Sequence, residues 1–287
     1  DEISLKLIPR PVIELTSKIN RLKQQKLELL KKNGYPADYL EIRYECPLCR
    51  DTGFVEREDG TVKCKCYRQQ MIKLLYTNSN LNLINVENFS NFDDSLYSDE
   101  VNEKKYGIKI SPRQNIKIIK EKCMEFVEKF NSENIQNLYF CGPAGTGKTF
   151  MCNCISKELI DRGYTVLYQT APMLFNLINE HKVKAFGNPD YDDSVYKNIF
   201  DVDLLVIDDL GTESESSARY AEFLTILNTR HMNNSIRPCK TIISTNIEVK
   251  DLYKYYDERT VSRIIGSYAL LKFAGDDLRI LKKSMMR

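Results

Sequence analysis

Residues 137–150, NLYFCGPAGTGKTF, indicate the class of fold. An apolar strand pattern runs into a glycine-rich turn, which is followed by a lysine, a threonine and a helical pattern. Residues 142–149 match the phosphate-binding pattern G-x-x-x-x-G-K-[ST] over its full length. Glycines allow successive backbone N–H groups to point inward at phosphate oxygens. We therefore predict a site for a nucleoside triphosphate, whose phosphate is either transferred to a substrate or used to change the shape of the protein.

The side chains of this loop are expected to make different contacts with ATP or ADP and with Mg²⁺. Lys148 would place a positive charge beside the β and γ phosphates, and the Thr149 hydroxyl would be a Mg²⁺ ligand. The helix expected at about 148–162 would direct the positive end of its dipole at the same phosphates. The residues predicted to bind the nucleotide are Gly142, Pro143, Ala144, Gly145, Thr146, Gly147, Lys148 and Thr149.

Two further strand patterns end in polar residues, as a ligand at the carboxyl edge of a parallel sheet requires. The stretch DLLVIDDLG, residues 203–211, predicts a buried strand that ends in two carboxylates. Asp208 would hold Mg²⁺, directly or through water, and Asp209 would polarise the attacking water. The stretch KTIISTN ends in Asn246, whose amide could orient water beside the γ phosphate.

Composition narrows the class of protein. The chain has 287 residues, 42% of them hydrophobic, and a formal net charge of +2, which does not by itself indicate nucleic-acid binding. Its apolar runs are shorter than the roughly 20 residues that cross a bilayer. The N-terminus lacks the basic-then-apolar order of a signal peptide. We expect a cytoplasmic protein with no membrane partner.

Four of the nine cysteines are clustered in ECPLCRDTGFVEREDGTVKCKC. Cys46 and Cys49 have C-x-x-C spacing, and a stretch that predicts a β-hairpin separates them from Cys64 and Cys66. Four thiolates brought together in this way can share one tetrahedral Zn²⁺. The site would be closed and therefore structural. Free cysteines and an iron–sulfur centre are the alternatives.

The remaining patterns give the domain organisation. Residues 12–33 predict an amphipathic helix that ends at Gly34 and Pro36. From Pro112 onward helices and short apolar strands alternate, which predicts a three-layer α/β/α domain with a mostly parallel sheet. The predicted divisions are a small helical and zinc-binding domain at 1–77, a linker rich in Asn, Ser and Asp at 78–111, and the nucleotide-binding domain at 112–287.

The order GPAGTGKT, LLVIDDLG, IISTN and ERTVSR resembles AAA+ ATPases. In particular it is similar to the DnaC/DnaI-type bacterial helicase loaders and to the related transposition helper ATPases, over roughly residues 86–287. The resemblance implies an AAA+ P-loop domain that hydrolyses ATP to load the hexameric replicative helicase onto DNA. It also implies that Asp208 and Asp209 form the hydrolytic centre and that Asn246 is the sensor.

Arg259 and Arg263, in ERTVSR, share one face if this stretch is a helix. If they faced their own phosphate loop, they would indicate the lid of a nucleoside or small-molecule kinase. In the family resembled, an arginine at the position of Arg263 reaches the nucleotide of a neighbouring subunit and stabilises the transition state. The resemblance therefore implies self-association through the Arg263 face, with Arg259 holding the interface.

Two features depart from the larger AAA+ proteins. Asp209 stands where many members have glutamate, which predicts slow hydrolysis without partners, and Glu213 is the alternative residue for activating water. About 21 residues follow Gly266, so we expect no C-terminal helical lid. Arg279 is then the candidate for the arginine that such a lid usually supplies.

The resemblance also implies partners. The mixed charges of the N-terminal zinc-binding region do not favour binding of nucleic-acid phosphates, so a protein partner is expected there. In the loaders resembled, this region docks on the replicative helicase. His181, Lys182 and Lys184 lie in a long crossover and could contact single-stranded DNA, or could form a solvated helix face. A transposition helper ATPase and a nucleotide-dependent scaffold with little ATPase activity are the alternative functions.

Overall fold

The computed structural model describes residues 10–58, 60–75, 83, 85–186, 194–213 and 217–285. The chain forms two compact units, of which the first ends at Thr52 and the second begins at Gly53. The predicted domains at 1–77, 78–111 and 112–287 each include some residues outside the described ranges, so their boundaries stay a prediction.

The first unit is built on helix α1 (Arg10–Lys32), which confirms the helix predicted over 12–33. The helix ends as expected at Gly34, whose φ of 76° lets the Tyr35 N–H donate to the Leu30 carbonyl at 2.9 Å. Leu30 is buried, but other apolar side chains of α1 are exposed. They are Leu15, Ile19, Leu22, Leu27 and Leu29. The amphipathic pattern thus leaves an apolar surface on this unit.

The second unit begins with strands β1 (Phe54–Arg57) and β2 (Gly60–Lys63), which pair antiparallel. This pair confirms the hairpin predicted between the two cysteine pairs. Helix α2 (Lys65–Leu75) follows. The Gln69 side chain accepts from the N–H of Val166 at 2.7 Å and donates to its carbonyl at 3.2 Å. Gln69 therefore acts as a backbone partner and attaches α2 to the main sheet.

Helices and strands alternate through the rest of the second unit. The helices are α3 (Glu103–Tyr106), α4 (Pro112–Glu128), α5 (Lys148–Asp161), α6 (Ala171–Ala185), α7 (Ser194–Asp201), α8 (Ser217–Asn233), α9 (Glu258–Ser267) and α10 (Leu278–Met285). The strands are β3 (Asn137–Cys141), β4 (Val166–Thr170), β5 (Leu204–Leu210), β6 (Lys240–Thr245) and β7 (Tyr268–Lys272). Among the helices of the described ranges, none combines the length and the apolar character needed to cross a bilayer.

The main sheet has the strand order β4-β5-β6-β3-β7, and every neighbouring pair is parallel. Alternate residues of β3 enter two different cores, with Tyr139 in one and Phe140 in the other. Helices α6, α8 and α9 complete the first core, and α4 and α5 complete the second. The predicted three-layer α/β/α fold is confirmed. Among the described residues after β7, α10 is the single helix.

Strand β5 carries a bulge at the two aspartates that follow its apolar run. Its register against β6 shifts between Ile207 and Leu210, because β5 has one extra residue there. Asp209 takes a φ of 54°, which is uncommon for a residue other than glycine. As a result Asp208 is buried, with 1% of its surface exposed, whereas Asp209 is exposed. The bulge thus separates the environments of two adjacent carboxylates.

The described part of the predicted linker packs against other elements of the second unit. Tyr97 is buried, and its hydroxyl donates to the Thr146 carbonyl at 3.1 Å. The ring of Phe92 lies 5.8 Å from that of Phe150, centroid to centroid. Arg113 of α4 donates to three carbonyls of this segment, those of Asp94, Ser95 and Tyr97. Aromatic and arginine contacts therefore attach a segment whose composition indicated only a linker.

Arg230 of α8 is a buried cation, with 1% of its surface exposed. Its Nε donates to the Thr241 hydroxyl at 3.0 Å, and burial lowers the pKa of its guanidinium. The remaining donors meet the carbonyls of Ile199, Val202 and Lys240 at 2.9, 3.1 and 2.6 Å. Arg230 thus joins α8 to the end of α7 and the start of β6.

Replacing Arg230 by methionine should destabilise the protein by about 3 kcal/mol or more, because buried carbonyls left without donors cost about 1–3 kcal/mol each. Urea unfolding followed by circular dichroism measures the change. Met232→Ala, at an exposed position on the same helix, is the control and should change stability by at most about 0.5 kcal/mol. Equal unfolding midpoints for the two variants would contradict the role given to Arg230.

Candidate functional site

The glycine-rich loop lies between β3 and α5, at the carboxyl end of the parallel sheet. Gly142 has a φ of 138°, and a Cβ there would overlap the backbone oxygen of Phe273. Gly145 has a φ of 74°, and a Cβ there would overlap the carboxylate of Asp277. Gly147 begins α5 without a side-chain cap, so the N–H groups of the first turn remain available for an anion.

Lys148 is buried at the start of α5, with 6% of its surface exposed. Its Nζ donates to the carbonyls of Gly142 and Pro143, both at 2.7 Å, and to Oδ1 of Asn246 at 2.9 Å. Burial lowers the pKa of the ammonium group, and the negative charge of Asp208 opposes this shift. These contacts hold a positive charge at the loop and join the loop to the end of β6.

The buried Asp208 carboxylate accepts hydrogen bonds from three directions. Its Oδ2 accepts from the Thr149 hydroxyl at 3.0 Å and from the Tyr168 hydroxyl at 2.7 Å. Its Oδ1 accepts from the Asp209 N–H at 3.0 Å. The structure therefore brings together Thr149 and Asp208, the two residues predicted as Mg²⁺ ligands. Tyr168 was missed by the sequence analysis, because a tyrosine within an apolar strand belongs to no motif.

Asp209 and Glu213 differ in where their carboxylates are directed. Asp209 lines the nucleotide cavity, and partial burial and the charge of Asp208 raise its pKa. Glu213 accepts from the Tyr256 hydroxyl at 2.6 Å and from the Gly211 N–H at 2.7 Å. Both oxygens of Glu213 are therefore engaged within the chain, and Glu213 is not among the described residues that line the cavity.

The cavity at the loop has a volume of about 610 Å³. The predicted residues that line it are Ala144, Gly145, Gly147, Lys148, Thr149, Asp209 and Asn246. Gly142 and Pro143 instead supply the carbonyls that hold Lys148, and the Thr146 hydroxyl donates to the Pro143 carbonyl at 2.8 Å. Further lining comes from residues of the predicted linker, including Phe92 and Tyr97, which the motifs did not identify.

The three arginines considered for the nucleotide lie in different places. Arg279, on α10, lines the cavity, and its positive charge opposes the rise in the pKa of Asp209 that burial and Asp208 cause. Arg263, on α9, is not among the described lining residues; its Nε donates to Oδ1 of Asn228 on α8 at 2.9 Å. Arg259 is exposed. The structure thus brings Arg279 to the phosphate loop and holds Arg263 against a neighbouring helix.

The four clustered cysteines are divided between the two units, with Cys46 and Cys49 in the first and Cys64 and Cys66 in the second. Cys49 and Cys64 are buried. Four thiolates are a usual ligand set of a structural Zn²⁺. The zinc site that these cysteines would share stays a prediction.

The crossover residues predicted to contact DNA lie on α6, and each has a partner within the chain. His181 stacks on Tyr196 with ring centroids 4.2 Å apart. Lys182 pairs with Glu222, and Lys184 pairs with Glu180 at 3.2 Å. The contact of α6 with single-stranded DNA stays a prediction.

A phosphate loop, a strand ending in Asp208 and Asp209, and Asn246 at the next strand end define a nucleotide-binding P-loop protein of the AAA+ class. The family described as IstB-like ATP binding protein matches residues 104–283. This match covers more than half of the sequence, and the chain belongs to that family.

Individual relatives include replication and insertion-sequence proteins. The replicative helicase loader DnaC of Escherichia coli (strain K12) is 29% identical over 160 residues, which are 55% of this chain and 62% of DnaC. The putative insertion sequence ATP-binding protein y4pL of Sinorhizobium fredii is 26% identical over 148 residues, which are 50% of this chain and 56% of y4pL. The chain therefore spans less than two thirds of these relatives.

Two solved structures match part of this chain. The crystal structure of the DnaC helicase loader is 25% identical, with a TM-score of 0.46, and the match covers 56% of this chain and 90% of that chain. The crystal structure of DnaI is 24% identical, with a TM-score of 0.48, and covers 64% of this chain and 89% of that chain.

Elemental analysis of the purified protein should give about one zinc per chain, because four thiolates match the usual structural site. Cys46→Ser should lose the metal, since it removes one of the four ligands. Cys239→Ser is the control, because the buried Cys239 thiol contacts backbone carbonyls far from the cluster in sequence and its loss should leave the zinc content unchanged. Metal-free protein with every thiol reactive would show that the cluster is not a zinc site.

Proposed function

We propose that this chain is an ATP-dependent loader of the hexameric replicative helicase, which hydrolyses ATP to drive assembly on DNA and release. The observation that supports ATP binding and hydrolysis is the cavity lined by the phosphate loop, Asp209 and Asn246. The similarity to DnaC supports the role in helicase loading. A protein with this role works in the cytoplasm, where chromosomal DNA is replicated.

The proposed roles at the nucleotide follow from the contacts of each side chain. Lys148 would neutralise charge on the β and γ phosphates, and Thr149 and Asp208 would hold Mg²⁺, which balances phosphate charge when bound. Asp209 would polarise the attacking water, because its carboxylate lines the cavity whereas the oxygens of Glu213 accept hydrogen bonds elsewhere. Asn246 would orient that water, since its amide is already fixed by Lys148 at 2.9 Å.

Arg263 is proposed to act on the nucleotide of a neighbouring copy of this chain. A kinase-like lid would require Arg263 above its own phosphate loop. Instead its Nε donates to Asn228, and it is not among the described residues that line the cavity. This placement supports self-association through the Arg263 face, with the exposed Arg259 at the same interface.

The N-terminal region is proposed to dock on the helicase, stabilised by a structural Zn²⁺. The exposed apolar side chains of α1 support this role, because an apolar helix face is a common protein-binding surface. Single-stranded DNA is proposed as a second partner, through α6. For Lys182 and Lys184 to reach phosphates, their ion pairs with Glu222 and Glu180 would have to open.

A transposition helper ATPase is the second candidate function. The family match and the similarity to the putative insertion sequence ATP-binding protein y4pL favour it. The cysteine segment speaks for the loader, because the resemblance to loaders implies an N-terminal zinc-binding region that docks on the helicase. Co-purification with the replicative helicase separates the two candidates.

The choice between Asp209 and Glu213 can be tested by a matched pair of amide variants. Asp209→Asn should bind ATP normally but hydrolyse it at least about a hundredfold more slowly, which is the usual loss when a general base is removed. Glu213→Gln should retain turnover. Phosphate release and nucleotide affinity, measured in the presence of helicase, test both. If Asp209→Asn retains full turnover, Asp209 is not the residue that activates water.

Removal of Arg263 should leave ATP affinity near normal but abolish stimulation by helicase and single-stranded DNA. The loss should be about 10³-fold, as for other finger arginines. Steady-state phosphate release of Arg263→Ala, with and without partners, is the measurement. Arg259→Ala, on the same helix, is the comparison and should retain turnover within an assembled complex.

Mixed assemblies test whether Arg263 acts between subunits. Lys148→Ala protomers retain Arg263, and Arg263→Ala protomers retain an intact nucleotide site. Combined, they should recover partial activity, because each supplies what the other lacks. If the two variants demonstrably assemble but the mixture does not hydrolyse ATP, Arg263 acts on the nucleotide bound to its own chain. If the wild-type protein binds ATP but does not hydrolyse it even with helicase and single-stranded DNA present, the nucleotide-dependent scaffold is the favoured function.

A further inference from the structure

Tyr168 contacts the carboxylate that the proposed function assigns to Mg²⁺. It lies on β4, which pairs with β5, and Tyr168 is opposite Val206 in the register. Its side chain is fully buried, and its hydroxyl donates to Oδ2 of Asp208 at 2.7 Å. Tyr168 belongs neither to the phosphate loop nor to the strand that carries the aspartates.

The donors around Asp208 determine which of its oxygens is available. Oδ2 accepts from both Thr149 and Tyr168, which uses its two lone pairs. Oδ1 accepts from the Asp209 N–H and has one lone pair left. Without the Tyr168 hydroxyl, Oδ2 would regain a lone pair and the carboxylate would lose one of the contacts that oppose its rotation. The tyrosine therefore limits the orientations open to Asp208.

We infer that Tyr168 is a positioning residue for Asp208 and holds its carboxylate in the orientation that binds Mg²⁺ together with Thr149. This inference rests on the proposed function, because it concerns the metal of the same nucleotide site. A purely structural explanation is that Asp208 satisfies a buried hydroxyl, which would otherwise be costly. The two explanations differ in the dependence of nucleotide binding on Mg²⁺.

The test compares the affinity for ADP with Mg²⁺ and with EDTA, by calorimetry, in the full chain. Tyr168→Phe removes only the hydroxyl. The gain in affinity that Mg²⁺ provides should fall about tenfold or more, the loss typical of removing a group that orients a metal ligand. The affinity in EDTA should be unchanged, because the loop and Lys148 are not altered.

Tyr268→Phe is the matched control for loss of a buried tyrosine hydroxyl. Tyr268 lies opposite Asn137 at the start of β7 and β3, the end of the sheet away from the phosphate loop. Its variant should show the wild-type gain from Mg²⁺. Thermal unfolding of both variants checks that they are folded. If Tyr168→Phe is not folded, Tyr168→Met, which also lacks the hydroxyl, is measured instead.

Three results would overturn the inference alone. If Tyr168→Phe binds ADP like the wild type under both conditions, the hydroxyl does not position the metal ligand. If affinity falls equally with Mg²⁺ and with EDTA, or if both Tyr168 variants unfold, the hydroxyl serves the stability of the core alone. These results would leave the proposed function intact. Wild-type protein without any Mg²⁺-dependent binding would overturn the proposed function together with the inference.

Discussion

The carboxylate of Asp208 is buried at the carboxyl end of β5, where its negative charge has to be met by hydrogen bonds. The donors come from three elements: Thr149 on α5, Tyr168 on β4, and the Asp209 N–H within the bulge of β5. One carboxylate therefore fixes the distance between the phosphate loop and the two strands beside it. The β5 bulge makes this possible, because its extra residue lets Asp208 face the interior while Asp209 faces the cavity.

Arginine and lysine side chains connect several elements of the second unit. Lys148 joins the phosphate loop to Asn246 at the end of β6. Arg263 joins α9 to α8 through Asn228, and Arg230 joins the same helix to the start of β6. Between Arg263 and the cavity the fold thus contains three separate side-chain hydrogen bonds, which the backbones of α8 and β6 connect.

Glu213 lies close in sequence to Asp208 and Asp209, but this proximity does not show where its carboxylate is directed. It follows the aspartates closely and is the longer carboxylate, so the sequence left it open as an alternative to Asp209. In the structure its two oxygens accept from Tyr256 and Gly211, and Tyr256 is remote in sequence. A contact between distant residues, which no local pattern reports, directs this carboxylate away from the cavity.

The sequence by itself determined the layer arrangement, the helices and strands, and the phosphate loop, because periodicity and glycine spacing are local properties of the chain. It also determined the hairpin between the two pairs of cysteines. Tertiary structure alone decided the bulge at Asp209, the contact of Tyr168 with Asp208, and the place of Tyr97 beside the loop. Each depends on residues far apart in sequence meeting in a packed interior, where a buried polar group has to find a partner and only the folded chain supplies it.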